Sequence, residues 1–210
     1  PALAACDGAE RIRLRAPVPL SEQERALLRN LPPLRIYAVN APPMTRYDPQ
    51  RATYTGISPD VLCFIAQQTG LRYAFLTAQD ITVADKIQQV QGGAADVFVP
   101  LSRTPERESK GIFTASYYAS QYAAIARKGR RLSMGSSAEL AQYRVGFIGG
   151  VALEPILRGI VPAPQLRSFD ASVVGKGLFQ AVRDGEIDVA VFNKDFFSEE
   201  RYRHDLFDLE

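Results

Sequence analysis

The residues best suited to bind a ligand lie in the stretch LSRTPERESK, residues 101–110. The stretch follows AADVFVP, an apolar run typical of a buried strand, and Pro105 is suited to the first turn of a helix. A strand that leads through a polar turn into a helix is a common place for a protein to hold an anion. The guanidinium groups of Arg103 and Arg107 can each bind a carboxylate through two hydrogen bonds. The pattern therefore predicts a carboxylate-binding turn.

Arg107 has a plainer alternative role on the surface. Glu106 and Glu108 are its neighbours in sequence, and an exposed ion pair with either one would contribute only about 0–1 kcal/mol. A ligand carboxylate shielded from water would gain roughly 1.5–3 kcal/mol from each charge-assisted hydrogen bond. The sequence alone leaves both roles open.

Composition narrows the class of protein. The chain has 210 residues, of which 46% are apolar and 23% charged, so it can bury a substantial core and approaches the size at which one domain gives way to two lobes. The formal net charge is +2 and the basic residues are scattered, whereas a nucleic-acid partner would require a concentrated basic face. No apolar run approaches the roughly 18 residues of a membrane span.

Two stretches of the chain show the same alternation of strands and helices. The first contains strand 34–39, helix 56–70, strand 71–76, helix 81–93 and strand 94–100; the second contains strand and turn 143–150, helix 151–159, strand 165–169, helix 171–186 and strand 187–193. Such alternation predicts mostly parallel sheets with helices on both faces. Ligands of these sheets bind at the carboxyl ends of the strands, so two such lobes facing each other would form a cleft.

The order of motifs along the chain resembles a known family. The motifs are G-x-x-x-D from Gly56 to Asp60, the ADV strand, the turn S-x-T-P-E-R with a tyrosine pair after it, V-G-x-x-x-G, and G-x-x-D-x-A-V. Over roughly residues 34–200 they resemble the family 3 extracytoplasmic solute-binding proteins. The resemblance implies an α/β Venus-flytrap fold (type 2 periplasmic binding protein), with two lobes of mixed, mostly parallel sheets flanked by helices and a ligand cleft between them.

The pattern and the resemblance together divide the chain into segments. The predicted segments are a signal remnant and lead-in at 1–33, a first lobe at 34–118, a hinge crossover at 119–126, a second lobe at 127–193 and an incomplete return segment at 194–210. The stop at Glu210, without full return helices, suggests a piece of a larger protein.

The resemblance also implies a set of binding residues. In the first lobe, the last arginine of the turn, Arg107, holds the α-carboxylate of the ligand, and Ser102 assists it. Arg103 is a weaker candidate, because relatives usually carry an apolar residue there. The remaining candidates lie in the second lobe, and they are Gly150, Val151, Ala152, Asn193 and Asp195.

The second lobe departs from the family pattern in two places, the turn of residues 150–152 and Asn193. Gly150, Val151 and Ala152 lack the hydroxyl group that relatives place at the start of the helix, which leaves backbone amides to meet a carboxylate. Asn193 replaces the aspartate that relatives use for the ligand α-amino group, and an amide contributes no charge. Asp195, two residues on, is an alternative partner.

The amino terminus indicates export but leaves the role of its cysteine open. Ala2-Leu3-Ala4 has the form of a signal-peptidase site, and Leu3 to Cys6 resembles the lipobox of bacterial lipoproteins. Cys6 and Cys63 are the only cysteines, and they could form a disulfide in an oxidising compartment. Cys63 could equally be inert packing in an apolar helix.

We therefore expect a non-enzymatic sensor domain in the periplasm that closes on a small carboxylate-bearing metabolite. The lead-in L-x-x-x-E-x-x-x-L resembles the segment before flytrap domains of membrane-bound histidine kinases. An amino acid is the expected ligand, and Asp48 or Asp80 would suit a basic one such as arginine. We expect no cofactor or nucleic acid, and no metal because His204 is the only histidine. Membrane contact would come only through flanking segments or lipidation of Cys6.

Three alternatives remain from the sequence. One is a free amino-acid receptor of an ABC transporter, which shares the same binding chemistry. The second is an enzyme resembling cyclohexadienyl dehydratases, for which Glu154 is the only carboxylate near a suitable helix start. The third is an interaction module that binds no ligand.

Overall fold

The computed structural model describes residues 6, 8–77, 81–170 and 177–210. The chain divides into two compact units, Pro1–Ile112 and Phe113–Glu210. No helix in the described part of the chain is long and apolar enough to cross a membrane.

The first unit is built on a parallel sheet of three strands. Its helices and strands are a 3-10 helix Ala9–Arg11, α1 Glu22–Asn30, β1 Leu34–Ala38, β2 Arg46–Asp48, β3 Thr53–Thr55, α2 Ile57–Thr69, β4 Tyr73–Leu76, α3 Val83–Gln91, β5 Val97–Val99 and α4 Pro105–Glu108. The sheet has the order β4-β1-β5, and β2 and β3 form an antiparallel hairpin beside it. The capping box of Ser21 and Glu24 starts α1, and Gly70, with φ 77°, ends α2 in the left-handed conformation.

The second unit is built on a mixed sheet of four strands. Its helices and strands are β6 Tyr122–Ile125, a 3-10 helix Ser137–Gln142, β7 Val145–Ile148, α5 Glu154–Ile160, a 3-10 helix Ala163–Gln165, β8 Leu166–Phe169, α6 Leu178–Arg183, β9 Val189–Asn193 and α7 Lys194–Arg203. The order is β6-β9-β7-β8, and only β6 runs antiparallel to its neighbour. The predicted helix 171–186 is described only in its second part, since residues 171–176 lie outside the described residues.

The two units repeat one arrangement of strands. In the first unit β1 lies between β4 and β5, and in the second unit β7 lies between β8 and β9. This confirms the prediction of mixed, mostly parallel sheets flanked by helices. It also places the carboxyl ends of neighbouring strands together, and Ala38 at the end of β1 is paired with Val99 at the end of β5.

The segments predicted as a hinge crossover and a return segment belong to the second unit by their contacts. Residues 122–125 of the predicted crossover form β6, which pairs with β9. Phe197, Leu206 and Leu209 of the segment 194–210 are buried in the same core as Phe179. These contacts could not be read from a short window of sequence, because β9, the antiparallel partner of β6, lies far away along the chain.

An arginine and an aspartate join two neighbouring strands in the first unit. Arg35 in β1 donates its backbone N–H (2.8 Å) and Nε (3.0 Å) to Oδ2 of Asp96, and its Nη2 donates to Oδ1 at 2.9 Å. The backbone N–H of Asp96 donates to the carbonyl of Arg35 at 2.9 Å. We call this pair the first clamp. It holds the amino ends of β1 and β5 in register.

The second unit contains an equivalent pair, the second clamp. Arg144, just before β7, donates its backbone N–H (2.9 Å) and Nε (3.1 Å) to Oδ2 of Asp188, and its Nη2 donates to Oδ1 at 2.7 Å. Asp188 donates its backbone N–H to the carbonyl of Arg144 at 2.8 Å, and Arg130 forms a further ion pair with it at 2.9 Å. The hydrogen bonds from Arg144 lower the pKa of Asp188 to about 2, against the opposing effect of burial.

The lowered pKa of Asp188 predicts a pH-dependent contribution to stability. A carboxyl group with a depressed pKa stabilises the fold above its unfolded pKa of 3.8, and this stability is lost as the pH falls towards about 2. We expect Asp188→Asn to lower the free energy of unfolding at pH 7 by about 2 kcal/mol. Because the variant has no carboxyl group to protonate at this position, acidification should lower its free energy of unfolding by about 2 kcal/mol less than that of the wild type. Urea unfolding followed by circular dichroism at pH 7 and at about pH 2.5 measures both quantities.

Asp96→Asn is the matched comparison for this experiment. The side chain of Asp96 is 34% exposed and that of Asp188 is 12% exposed, so solvent screens the first clamp more strongly. Asp96→Asn should therefore cost less than Asp188→Asn. Equal acid sensitivity in the wild type and in Asp188→Asn would show that the second clamp does not contribute in this way.

The structure pairs Cys6 with Cys63 in a disulfide bond. Cys63 is buried in α2, and the backbone N–H of Gly8 donates to Oδ1 of Asp60 one turn earlier in that helix, at 3.2 Å. The segment that follows Cys6 therefore packs along α2. Lipidation of Cys6 would require this disulfide bond to be absent, and it remains a prediction. Ala2, Leu3 and Ala4 of the predicted signal-peptidase site lie outside the described residues.

The disulfide should stabilise the first unit. It closes a loop with a sequence separation of 57, for which the chain-entropy model gives about 4 kcal/mol. We expect Cys6→Ser to lower the melting temperature, and a reducing agent to lower that of the wild type but not that of the variant. If reduction leaves the melting temperature of the wild type unchanged, the bond does not stabilise the protein in solution.

Candidate functional site

The predicted carboxylate-binding turn forms a compact structure after β5. The side chain of Thr104 caps α4 by accepting a hydrogen bond from the backbone N–H of Arg107 at 3.3 Å. The Nη1 atom of Arg107 donates to the carbonyl of Ser102 at 2.9 Å, so the half-buried guanidinium group folds back over the turn. Ser102 therefore orients Arg107 through its backbone. Its predicted contact with a ligand remains a prediction.

The acidic neighbours of Arg107 have other partners. Glu108 accepts from Nε of Arg103 at 2.5 Å, and Glu106 lies 3.7 Å from Nζ of Lys110. Among the described residues, no carboxylate lies within salt-bridge distance of Arg107. The surface ion pair that was the alternative role of Arg107 is thus not formed. Arg103, in contrast, is exposed and neutralised.

In the second unit, the turn after β7 presents a backbone amide to a carboxylate of the same chain. Gly150 has φ 75°, a left-handed conformation that favours glycine. Its N–H donates to Oε2 of Glu154 at 2.7 Å, and Oε1 of Glu154 accepts from Nε (2.8 Å) and Nη2 (2.6 Å) of Arg158. The hydrogen bond from Gly150 and the bonds from Arg158 lower the pKa of Glu154. The backbone N–H of Gly150, which was predicted to face a ligand, can therefore bind a carboxylate. In this structure that carboxylate is the side chain of Glu154.

The other two residues of this turn have mainly structural contacts. Val151 is half-buried and packs against both core clusters of the second unit. Its carbonyl accepts from the N–H of Glu154 at 3.0 Å, which helps to start α5. Ala152 is half-buried and follows it in the same turn. Any contact of these two residues with a ligand remains a prediction.

Asn193 and Asp195 both have structural partners at the carboxyl end of β9. Asn193 caps α7, because its Oδ1 accepts from the backbone N–H of Phe196 at 2.9 Å, and its Nδ2 donates to the hydroxyl of Ser120. Asp195 accepts a hydrogen bond from the hydroxyl of Tyr118, and this bond, with burial, raises the pKa of Tyr118. Since β7 and β9 are parallel neighbours, the turn with Gly150 follows the end of one strand, and Asn193 is the last residue of the adjacent one.

One cation in the first unit had no predicted role. Lys86 in α3 is only 5% exposed, and its Nζ donates to the carbonyl of Ala38, the last residue of β1, at 3.1 Å. Burial lowers the pKa of this amine. A lysine among the polar residues of a short helix looks exposed from sequence alone, and the one available signal is Val90, four residues on, which marks a partly buried face of α3.

The cap formed by Asn193 predicts distinct effects of two substitutions. Asn193→Ala removes the acceptor for the N–H of Phe196 and should lower the free energy of unfolding by about 1 kcal/mol. Asn193→Asp keeps an acceptor there and should cost clearly less. Chemical denaturation measures both, with Ser198→Ala as a control on the exposed face of α7. Equal losses in the two Asn193 variants would contradict a capping role.

Comparisons with known proteins bear on the family and on the fold. Residues 34–189 match the model of a family described as bacterial extracellular solute-binding proteins, family 3. Among curated proteins, none matches the sequence at a significant level.

Several solved structures share the fold. The VFT2 domain of BvgS from Bordetella pertussis, a double mutant, is 23% identical with a TM-score of 0.71, over 93% of this chain and 80% of that one. A histidine kinase sensor domain with similarity to periplasmic binding proteins is 17% identical (TM-score 0.70), over 85% and 75% of the two chains. An ancestral arginine-binding protein bound to arginine is 20% identical (TM-score 0.67), over 84% and 76%. At these identities the likeness shows the fold alone.

Proposed function

Because the chain belongs to family 3 of the bacterial extracellular solute-binding proteins and has their two-lobed fold, we propose that it binds a small carboxylate-bearing metabolite, most simply an amino acid. Arg107 is the observation that carries the proposal. It is half-buried, lies beyond the carboxyl end of β5, and has no carboxylate partner among the described residues. A guanidinium group in this position has donors left for a planar anion.

We propose further that the chain serves as a sensor domain in the periplasm, as part of a larger bacterial membrane signalling protein. The family is extracellular, and the structures that share the fold include a histidine kinase sensor domain. Ligand capture would draw the two lobes together and so shift an equilibrium between open and closed states. A free receptor of an ABC transporter uses the same binding chemistry. Fractionation of the full-length protein separates the two, because a free receptor leaves the membrane fraction.

The basic amino acid expected from sequence has little support from the described carboxylates. Asp48 accepts from the backbone N–H groups of Gln50 (2.9 Å) and Arg51 (3.2 Å) in the turn between β2 and β3. Asp80, the other candidate, lies outside the described residues. Arginine therefore remains one member of a ligand panel.

The enzyme alternative is weakened by the state of Glu154. A general acid at neutral pH needs a carboxyl group with a raised pKa. The pKa of Glu154 is instead lowered by the hydrogen bonds from Gly150 and Arg158. This carboxylate is therefore better suited to a structural role than to proton donation.

One observation favours the alternative of an interaction module without a ligand. The N–H of Gly150, which was expected to meet a ligand carboxylate, already donates to Glu154 at 2.7 Å. A ligand would have to replace this bond or bind beside it. The ligand experiment below distinguishes the two functions, since an interaction module responds to no member of the panel.

The proposal is tested by a thermal-shift screen followed by calorimetric titration with L-arginine, L-glutamate, L-glutamine and succinate. A ligand at 100 times its dissociation constant raises the stability by about 2.7 kcal/mol. Small-angle scattering with a bound ligand should then show compaction. If no amino acid or small carboxylate binds, the proposed function is wrong and the interaction module is favoured.

Arg107→Ala should abolish most of this binding. We expect the loss of a desolvated charge contact to weaken binding by about 2–5 kcal/mol, with a circular dichroism spectrum like that of the wild type. Arg103→Ala is the matched control in the same turn, because Arg103 is exposed and already paired with Glu108. It should change the affinity far less. If Arg103→Ala weakens binding more than Arg107→Ala does, the ligand carboxylate binds Arg103 and not Arg107.

A further inference from the structure

Lys86 combines burial with an incomplete set of partners. Its ammonium group has three N–H donors, and the carbonyl of Ala38 at 3.1 Å is the one acceptor found for them among the described residues. No carboxylate in that part of the chain lies within salt-bridge distance of Nζ. Buried charges are normally paired, because an unpaired charge loses much of its hydration. Lys86 is therefore an uncompensated cation, and the lowered pKa caused by burial agrees with this.

The fold of the first unit does not require a lysine at this position. The carbonyl of Ala38 also accepts a hydrogen bond from the hydroxyl of Tyr54 at 3.2 Å, so it has a partner without Lys86. The centroid of the Tyr37 ring lies 6.0 Å from Nζ, and the hydroxyl of this tyrosine is hydrogen-bonded to Gln89 and not to Lys86. An apolar side chain could fill the same space without the cost of burying a charge.

The contact between Lys86 and the end of β1 places its ammonium group on the same side of the sheet as the carboxylate-binding turn. Its Nζ contacts the last residue of β1, which is paired with Val99, the last residue of β5. The turn that carries Arg107 begins just after β5. In open α/β sheets, ligands bind where the strand order reverses, and in the order β4-β1-β5 that place is the carboxyl end of β1 and β5. Lys86 and Arg107, which have no carboxylate partner among the described residues, therefore both lie near the edge of the sheet where a ligand is expected.

We propose that Lys86 contacts a second anionic group of the ligand, so that the site selects a small dicarboxylate, such as an acidic amino acid, over its uncharged or basic analogues. This inference rests on the proposed function, with Arg107 as the contact for the first carboxylate. The ligand charge would compensate the buried ammonium group, and the two N–H donors not bonded to Ala38 would be available for it. Arg103, the other arginine of the turn, is already paired with Glu108.

L-Glutamate and L-glutamine provide the test, because they have nearly the same shape and differ in the charge of the side chain. We expect the wild type to bind glutamate about 10- to 100-fold more tightly than glutamine in calorimetric titrations. Lys86→Met replaces the amine with an unbranched apolar side chain and should bring the two affinities close together. Lys86→Arg, which keeps the positive charge, should retain a preference for glutamate.

Lys110→Met is the matched control, because Lys110 is an exposed cation whose nearest acidic partner is Glu106 at 3.7 Å. This variant should keep the full preference for glutamate. Circular dichroism and thermal unfolding check that each variant is folded. The wild-type ratio of the two affinities is measured on the native protein and does not depend on any variant folding.

Two results would overturn the role of Lys86 while leaving the proposed function intact. One is a wild type that binds glutamine or arginine as tightly as glutamate, and the other is a preference for glutamate that survives in Lys86→Met. A wild type that binds none of these ligands and no small carboxylate contradicts the proposed function, and with it this inference.

Discussion

The repeated pairing of an arginine with an aspartate fixes the register on which both units depend. Arg35 with Asp96 joins the amino ends of β1 and β5, and Arg144 with Asp188 joins those of β7 and β9, in each case through backbone and side-chain hydrogen bonds. Parallel strands carry no hairpin to set their register, so these contacts do so from one end. A shift of one residue there would invert the faces of the strand. The same contacts therefore also determine which residues lie side by side at the carboxyl ends of these strands.

The charges at the carboxyl ends of the strands are distributed unevenly. The carboxylates in and beside the turns after β5 and β7 already have partners, since Glu108 accepts from Arg103 and Glu154 accepts from Arg158. Arg107 and Lys86 have only backbone carbonyls as acceptors among the described residues. A site with uncompensated cations attracts an anion over a distance, and the low dielectric of a closed site strengthens the attraction. The electrostatics of the first unit therefore agree with a carboxylate ligand.

Sequence patterns predicted the strands and helices of the two alternating stretches and their mostly parallel sheets, because hydrophobic periodicity and the turn residues determine them locally. They did not predict the hairpin of β2 and β3. The turn at residues 101–110 was predicted for a similar reason, since a polar stretch follows an apolar strand there, and Pro105 does begin α4. Contacts between distant residues were harder to predict. The burial of Lys86 depends on the packing of α3 against the end of β1, and the bond between Gly150 and Glu154 depends on how the turn after β7 closes. Neither signal is contained in a short window of sequence.

Each unit is one continuous stretch of chain, and this bears on biosynthesis. Every strand of the first sheet precedes residue 113, so that sheet can be completed while the second unit is still being synthesised. The second unit likewise contains all four of its described strands between its own ends. Among the described residues, neither sheet takes a strand from the other unit. This reduces the time for which a hydrophobic strand edge is exposed to aggregation during translation.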